Sequence, residues 1–303
     1  MIIYSSKGKK NTLEYFIKQA MGKKDDSIKK TTGQTDALFC KENGCSRKNF
    51  ETFPAGLKVY FENIEFEKEF TIPRKEMEKI SGIGQNEALQ NTYRRAEYAI
   101  GSYHRFCRRM LETALINATE PETPYKGFVL DLRTPDGEPL FSENHPFGDV
   151  GRQSNLFKGN FFGDEKRTNE SLYFLSNKIF DMKDELGRPL RYVADTIIIP
   201  VNRTDLFRKI TKAIDAQDSN HWKLITLPSW FSDDDRLMIM SSNANIELCG
   251  NMFWNRVPLV VTNWTDSHTS NYIWNLRGRV AVSFNTYKHI LLAIDPSTAE
   301  DPI

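Results

Sequence analysis

Cys40 and Cys45 lie close together, and His104 and Cys107 lie three positions apart in a stretch with helical spacing. Thiolate sulfur and imidazole nitrogen are the donors zinc prefers, and residues at i, i+3 share a helix face. The four could hold a metal ion and serve a cytoplasmic zinc-dependent enzyme. The Cys-x4-Cys spacing is not that of a zinc knuckle, however. Cys107 also falls on an apolar stripe, where a buried structural thiol is the better account. His145, His221, His268 and His289 stand alone, without an HExxH, GxSxG or similar signature around them. Gly82-Ile83-Gly84 has no third glycine and no strand leading into it, so it loosens a helix entry rather than binding a dinucleotide. Ser232-Asp233-Asp234-Asp235 could meet a divalent cation through carboxylates, but its spacing is not that of an EF-hand, and an exposed turn explains it better. No catalytic residue, metal ligand or cofactor-binding residue is assigned, and the chain is not expected to be an enzyme.

The element that organises the chain runs from Gln85 to about Asn117. Leu89, Tyr93, Ala96, Ile100, Tyr103, Cys107, Met110 and Ala114 alternate at spacings of four and three, one apolar stripe on one helix. Only Gly101 weakens it, by ~1 kcal/mol against Ala, and its length is roughly 50 Å. Arg94, Arg95, Arg105, Arg108 and Arg109 punctuate its other side. A solvated, salt-bridged face is the ordinary account; the sharper one is contact with a polyanion or a partner's acidic surface.

Before this helix, Ile64, Phe66, Phe70 and Ile72 alternate with Glu65, Glu67, Glu69 and Thr71, and Lys68 alone breaks the apolar series. Period two predicts a strand with one apolar and one acidic face. Leu57–Phe61 would complete a hairpin turning near Glu62-Asn63. Such a hairpin packs either on its own domain or over a neighbouring subunit; the second reading makes Ile64, Phe66, Phe70, Ile72, Glu65 and Glu67 assembly contacts. Residues 1–50 carry eleven Lys or Arg against five Asp or Glu and lack apolar patterning, so they form a docked arm or a solvated tail.

After the helix, Leu130–Leu132 reads as a short strand, and Pro135-Asp136-Gly137 as a turn. His145 to Phe162 shows no clear period. A helix is expected from about Asn169 to Lys183, capped by Thr168 or Asn169 and ended by Gly187 and Pro189. Thr196–Val201 (TIIIPV) is an apolar run of buried-strand type. A helix over Thr204–Ala216 and a strand over Lys223–Leu227 follow, giving an α/β unit. Val280, Val282 and Phe284 mark a late strand, and Ile290–Ile294 another.

Composition sets the limits. The chain has 303 residues and a net charge of +1, which excludes a strongly basic DNA reader but leaves room for loose contact with packaged nucleic acid. Four cysteines in this length are no disulfide framework and point to synthesis in a reducing cytoplasm. The N-terminus has no apolar core of signal-peptide length, and no window reaches the ~18 apolar residues of a membrane span. High aromatic content, with 20 Phe and 5 Trp, suits a large core or extensive interfaces.

The order of these elements resembles that of the major capsid proteins of tailed bacteriophages, the Hong Kong 97-type fold. In detail, His145-Pro146 with Ser154-Asn155 resembles a loop of Mu-like major head subunits. There it precedes a helix, a DxxGxP turn (here Asp184 to Pro189) and an apolar strand containing Pro (here TIIIPV). Leu206–Ile214, Leu227–Phe231 and Val280–Phe284 also fit. The resemblance implies an α+β capsid fold: an N-terminal arm over 1–50, an extended E-loop hairpin over 51–78, and a peripheral domain over 79–190 with spine helix 85–117. An axial α/β domain over 191–279 follows, with strands over 280–303 returning to the peripheral domain. It also implies self-assembly into hexamers and pentamers of an icosahedral shell, with a scaffolding protein and a portal as partners and double-stranded DNA held non-specifically inside. Since the chain opens without a long helical extension, the scaffold is expected to be separate or already removed. An encapsulin-like nanocompartment has the same fold and is the alternative. No cross-linking Lys–Asn pair can be carried over.

Overall fold

The computed structural model describes residues 63–80, 85–147, 151–184, 187–216, 222–231 and 235–295. The basic segment 1–50 with Cys40 and Cys45, the expected strand Leu57–Phe61 and its turn at Glu62, Gly82-Ile83-Gly84, His221 and Ser232-Asp233-Asp234 lie outside the described residues.

The chain folds as α+β around two sheets. Strand β1 (Ile64–Ile72) leads through helix α1 (Arg74–Ile80) to the long helix α2 (Gln85–Ile116). Its 32 residues span about 48 Å. A small antiparallel pair follows, β2 (Glu122–Tyr125) and β3 (Phe128–Asp131), then a second pair, β4 (His145–Phe147) and β5 (Gly151–Gln153), and the short strand β6 (Leu156–Lys158). Helix α3 (Glu165–Phe180), strand β7 (Thr196–Pro200), helix α4 (Thr204–Ala216) and strand β8 (Lys223–Leu227) come next. The chain continues as β9 (Asp235–Met240), the short helix α5 (Ser242–Glu247), β10 (Asn251–Thr265), β11 (Tyr272–Phe284) and β12 (Ile290–Asp295).

Five strands form the larger sheet, in the order β6-β12-β9-β7-β8. β7 and β8 run parallel with α4 as their crossover, the strand–helix–strand unit read from the sequence. Alternation along β7 divides the core. Ile197 and Ile199 face α3 and α4, meeting Leu172, Leu175, Ile179, Leu206 and Ile210. Ile198 faces the other way and joins Met238, Met240, Ile290 and Leu292 in the core that α2 shares.

The smaller sheet has the order β1-β11-β10. β10 and β11 form a long hairpin, and β1 pairs antiparallel with β11 from Ile64↔Val280 to Ile72↔Tyr272. Helix α2 lies on this sheet through Tyr103, Phe106 and Met110. Gly278 permits the close approach, since a Cβ there would lie 2.9 Å from the Tyr103 ring.

Several expectations are corrected here. The hairpin that completes the first sheet begins at Asn251 with β10, and β12 lies inside the five-stranded sheet, beside β6 and β9. α3 starts earlier than expected, because Asp164, not Thr168 or Asn169, caps it by accepting from the Arg167 N–H at 2.8 Å. Thr168 is buried inside the helix, and α3 ends at Asp181, well before Gly187. On α2 the buried face passes through Ala99 rather than Ile100, which is 38% exposed. A strict seven-residue stripe drifts around a straight helix of 3.6 residues per turn, and the sheet covers only the side it meets.

Candidate assembly surface

The six residues singled out on β1 divide by parity. Ile64 and Ile72 are fully buried within their own chain. Phe66 meets the rings of Tyr103 and Phe106, both at 5.3 Å between centroids. Phe70 stacks on Trp274 of β11 at 6.1 Å. The apolar face of β1 is thus partly covered by its own chain: Ile64 and Ile72 are buried, while Phe66 under α2 and Phe70 beside Trp274 are half-buried. A neighbour could reach only what remains exposed of Phe66 and Phe70 on this face, since both are half-buried. Glu65 and Glu67 lie on the opposite face. Glu65 is paired with Arg277 and Arg279, and the Arg277 hydrogen bond holds its carboxyl below the ordinary carboxylate range. Glu67 accepts from the Asn275 amide at 2.7 Å.

What the chain leaves uncovered lies elsewhere. On the β10–β11 hairpin, Val260, Val261 and Trp264 are each close to half exposed. β10 is also an edge strand, whose outward backbone groups can template pairing with another chain. Pro258 and the register shifts between Asn255 and Val260 interrupt that edge. On α2, Tyr98 is 64% exposed beside Lys68 and Arg105. Sequence reasoning missed the hairpin: the run Val257–Trp264 is interrupted by Pro, Thr and Asn and does not alternate cleanly.

The loop motif carried by His145 and Asn155 is a buried polar junction. His145 Nδ1 lies 2.8 Å from Asp136 Oδ2, and its Nε2 lies 3.1 Å from Asn155 Oδ1. Its ring stacks on Tyr287 at 3.7 Å. The Asn155 amide donates to the carbonyls of Leu140 at 2.6 Å and Ile290 at 3.2 Å, while its Oδ1 accepts from the Ser142 N–H at 3.0 Å. One asparagine thus joins the segment after β3, the strand β6 that follows it and the approach to β12. In the DxxGxP motif, Asp184 accepts from the Arg188 backbone N–H at 2.9 Å and from its guanidinium at 2.8 Å. Gly187 takes a positive φ of 80°. The first motif ties three segments together, and the second closes a turn.

Two of the four zinc candidates, Cys40 and Cys45, lie outside the described residues. On α2, His104 is exposed and Cys107 is 2% exposed. Burial pushes the Cys107 thiol up to about 12. Among the described residues no three His, Cys, Asp or Glu side chains come together as a metal site. No described helix is long and apolar enough to cross a membrane.

One half-buried carboxyl and one buried imidazole set an acid response. Burial raises the Asp136 carboxyl, but hydrogen bonds from His145, Thr134 and the Glu138 N–H outweigh it and leave it below its usual value. Its stabilising effect is present above the ordinary Asp range and is lost as the pH falls through the lowered value. Burial pushes His289 from 6.5 down to about 3. Between those values the unfolded chain binds a proton there that the folded chain refuses, so stability falls with pH at up to ~1.4 kcal/mol per unit. Calorimetric melting at pH 7 to 4 is expected to show a steadily falling midpoint, and His289→Gln to flatten its upper part.

No family model and no curated protein matches the chain. Among solved structures it is similar to a chain of Mycobacterium phage Patience, at 10% identity over 82% of this chain and 73% of that one, with a TM-score of 0.49. It is similar to a chain from the capsid of the native GTA particle, at 10% identity over 81% and 76%, with a TM-score of 0.46. It is also similar to the SrpI encapsulin of Synechococcus elongatus PCC 7942, at 8% identity over 85% and 82%, with a TM-score of 0.42.

Proposed function

We propose that this chain is the major capsid subunit of a tailed bacteriophage or prophage, assembling into an icosahedral shell that encloses double-stranded DNA. The observation that carries this reading is the platform made by α2 and the β1-β11-β10 sheet. A rigid helix of 32 residues backs a long ribbon whose Val260, Val261 and Trp264 are close to half exposed. Exposed apolar groups along an edge strand suit contacts between copies, and many modest contacts reinforce one another in a closed assembly. The resemblance of the His145/Asn155 loop, the Asp184–Pro189 turn and the TIIIPV strand to head subunits supports the phage assignment. A scaffolding protein and a portal are the partners this role requires.

Negative-stain electron microscopy of the expressed full chain, with and without its neighbouring genes, tests the proposal. Closed shells of uniform size are expected, with nuclease-protected duplex DNA when packaging genes are present. A chain that remains monomeric at every concentration, salt and scaffold condition would overturn it. Shells that copurify with one enzyme and no DNA would replace the phage reading with a nanocompartment.

A further inference from the structure

Lys68, the residue that breaks the apolar series of β1, reaches up to α2. Its Nζ donates to Ser102 Oγ at 2.9 Å and stands 4.4 Å from the centre of the Tyr98 ring. Arg105 brings Nη2 to the same Ser102 oxygen at 3.2 Å, with its guanidinium carbon 5.3 Å from the same ring. Gly101 gives the guanidinium room, since a Cβ there would lie 3.2 Å from Arg105 Nη1. Ser102 itself donates to the Tyr98 carbonyl at 2.8 Å, so its hydroxyl is fully used. Two cations therefore converge on one neutral oxygen. Among the described residues neither has a carboxylate in ion-pair reach. Like charges this close repel, and an anion placed between them removes the repulsion.

The complementary surface is on the other face of the same strand. Glu65 draws in both Arg277 and Arg279, which leaves Glu67 and Glu69 exposed. Their described partner is one amide, Asn275 Nδ2, at 2.7 and 3.5 Å. Alternate residues of a strand stand ~7 Å apart on one face, a separation two neighbouring cations can span. Because the basic pair and the acidic pair occupy opposite faces of one sheet, they cannot meet within a molecule.

We propose that Lys68 and Arg105 of one protomer dock Glu67 and Glu69 of the next copy of this chain. The contact is head-to-tail, and repeating it with a rotation closes a ring. This inference rests on the shell reading and names the charged contact that orients neighbours within it.

Charge reversal in the full chain tests it. Lys68→Glu/Arg105→Glu and Glu67→Lys/Glu69→Lys should each raise the concentration needed for assembly by about tenfold or more, while far-ultraviolet circular dichroism and the melting midpoint stay near wild type. The variant carrying all four reversals restores opposite charges across the contact and should assemble at near the wild-type concentration. Should a reversal disturb folding, Lys68→Met/Arg105→Gln gives the second readout: wild-type assembly is expected to weaken with added salt, and this variant's to lose that dependence. Double reversals that assemble as wild type, or a fourfold variant no better than the doubles, would overturn the docking and leave the shell reading standing. Unchanged assembly with lost retention of duplex DNA would assign the cation pair to phosphate instead and equally overturn it. A wild-type chain that never assembles would overturn the shell reading and this contact with it.

Discussion

Asn155→Leu is expected to cost the subunit about 4 kcal/mol or more, the largest effect of any single substitution considered for this fold. The side chain is fully buried and spends both ends of its amide. Removing it strands the Ser142 N–H and the Ile290 carbonyl, and leaves the Leu140 carbonyl and His145 Nε2 only each other at 3.3 Å, in a space that leucine makes drier. Each buried polar group left without a partner costs ~1–3 kcal/mol. Urea unfolding followed by circular dichroism should show the midpoint falling sharply with an unchanged slope. A loss under about 1 kcal/mol would mean that water reaches the junction and replaces the amide. His145→Gln should be milder, because Asp136 keeps its Thr134 and Glu138 donors.

Phe66→Asp is expected to destabilise the isolated subunit by about 3 kcal/mol or more. The substitution removes a ring packed between Tyr103 and Phe106 and places a carboxylate there instead. The variant should unfold at markedly lower temperature as a monomer, before any assembly is asked of it. Failure to form shells would then follow from failure to fold. A variant monomer that melts like wild type would show that β1 leaves the sheet in solution, and would return its apolar face to the role of a contact between subunits.

Much of the fold was legible because period and composition agree in the best-defined elements. The 3.6-residue pattern of Leu206, Ile210 and Ile214 placed α4, and the unbroken apolar run TIIIP placed a strand buried on both faces. Helix α2 was legible for the same reason, although its stripe was read a residue out of place at Ile100. Pairing was not legible. Nothing local in Ile64–Ile72 says that a partner lies two hundred residues later in Tyr272–Phe284. β10 was missed because Pro258 and the bulge break its alternation, so its regularity resides in backbone bonds to β11 rather than in its side chains. The basic half of the candidate site was visible as a flaw, Lys68 in an apolar series and Gly101 in a helix. That both flaws serve one cluster around Ser102 became apparent only when strand and helix were brought together.

The place of β12 between β6 and β9, and of β11 between β1 and β10, has a consequence for how the molecule is made. On a ribosome, everything up to α5 emerges with two raw sheet margins and no way to seal them. Neither sheet can close until the stretch from Tyr272 to Asp295 has left the exit tunnel. Completion of both sheets therefore waits for this late stretch, with long-range pairings that form slowly. A message truncated before codon 290 would yield a product with open strands, prone to cling to its siblings in the wrong register.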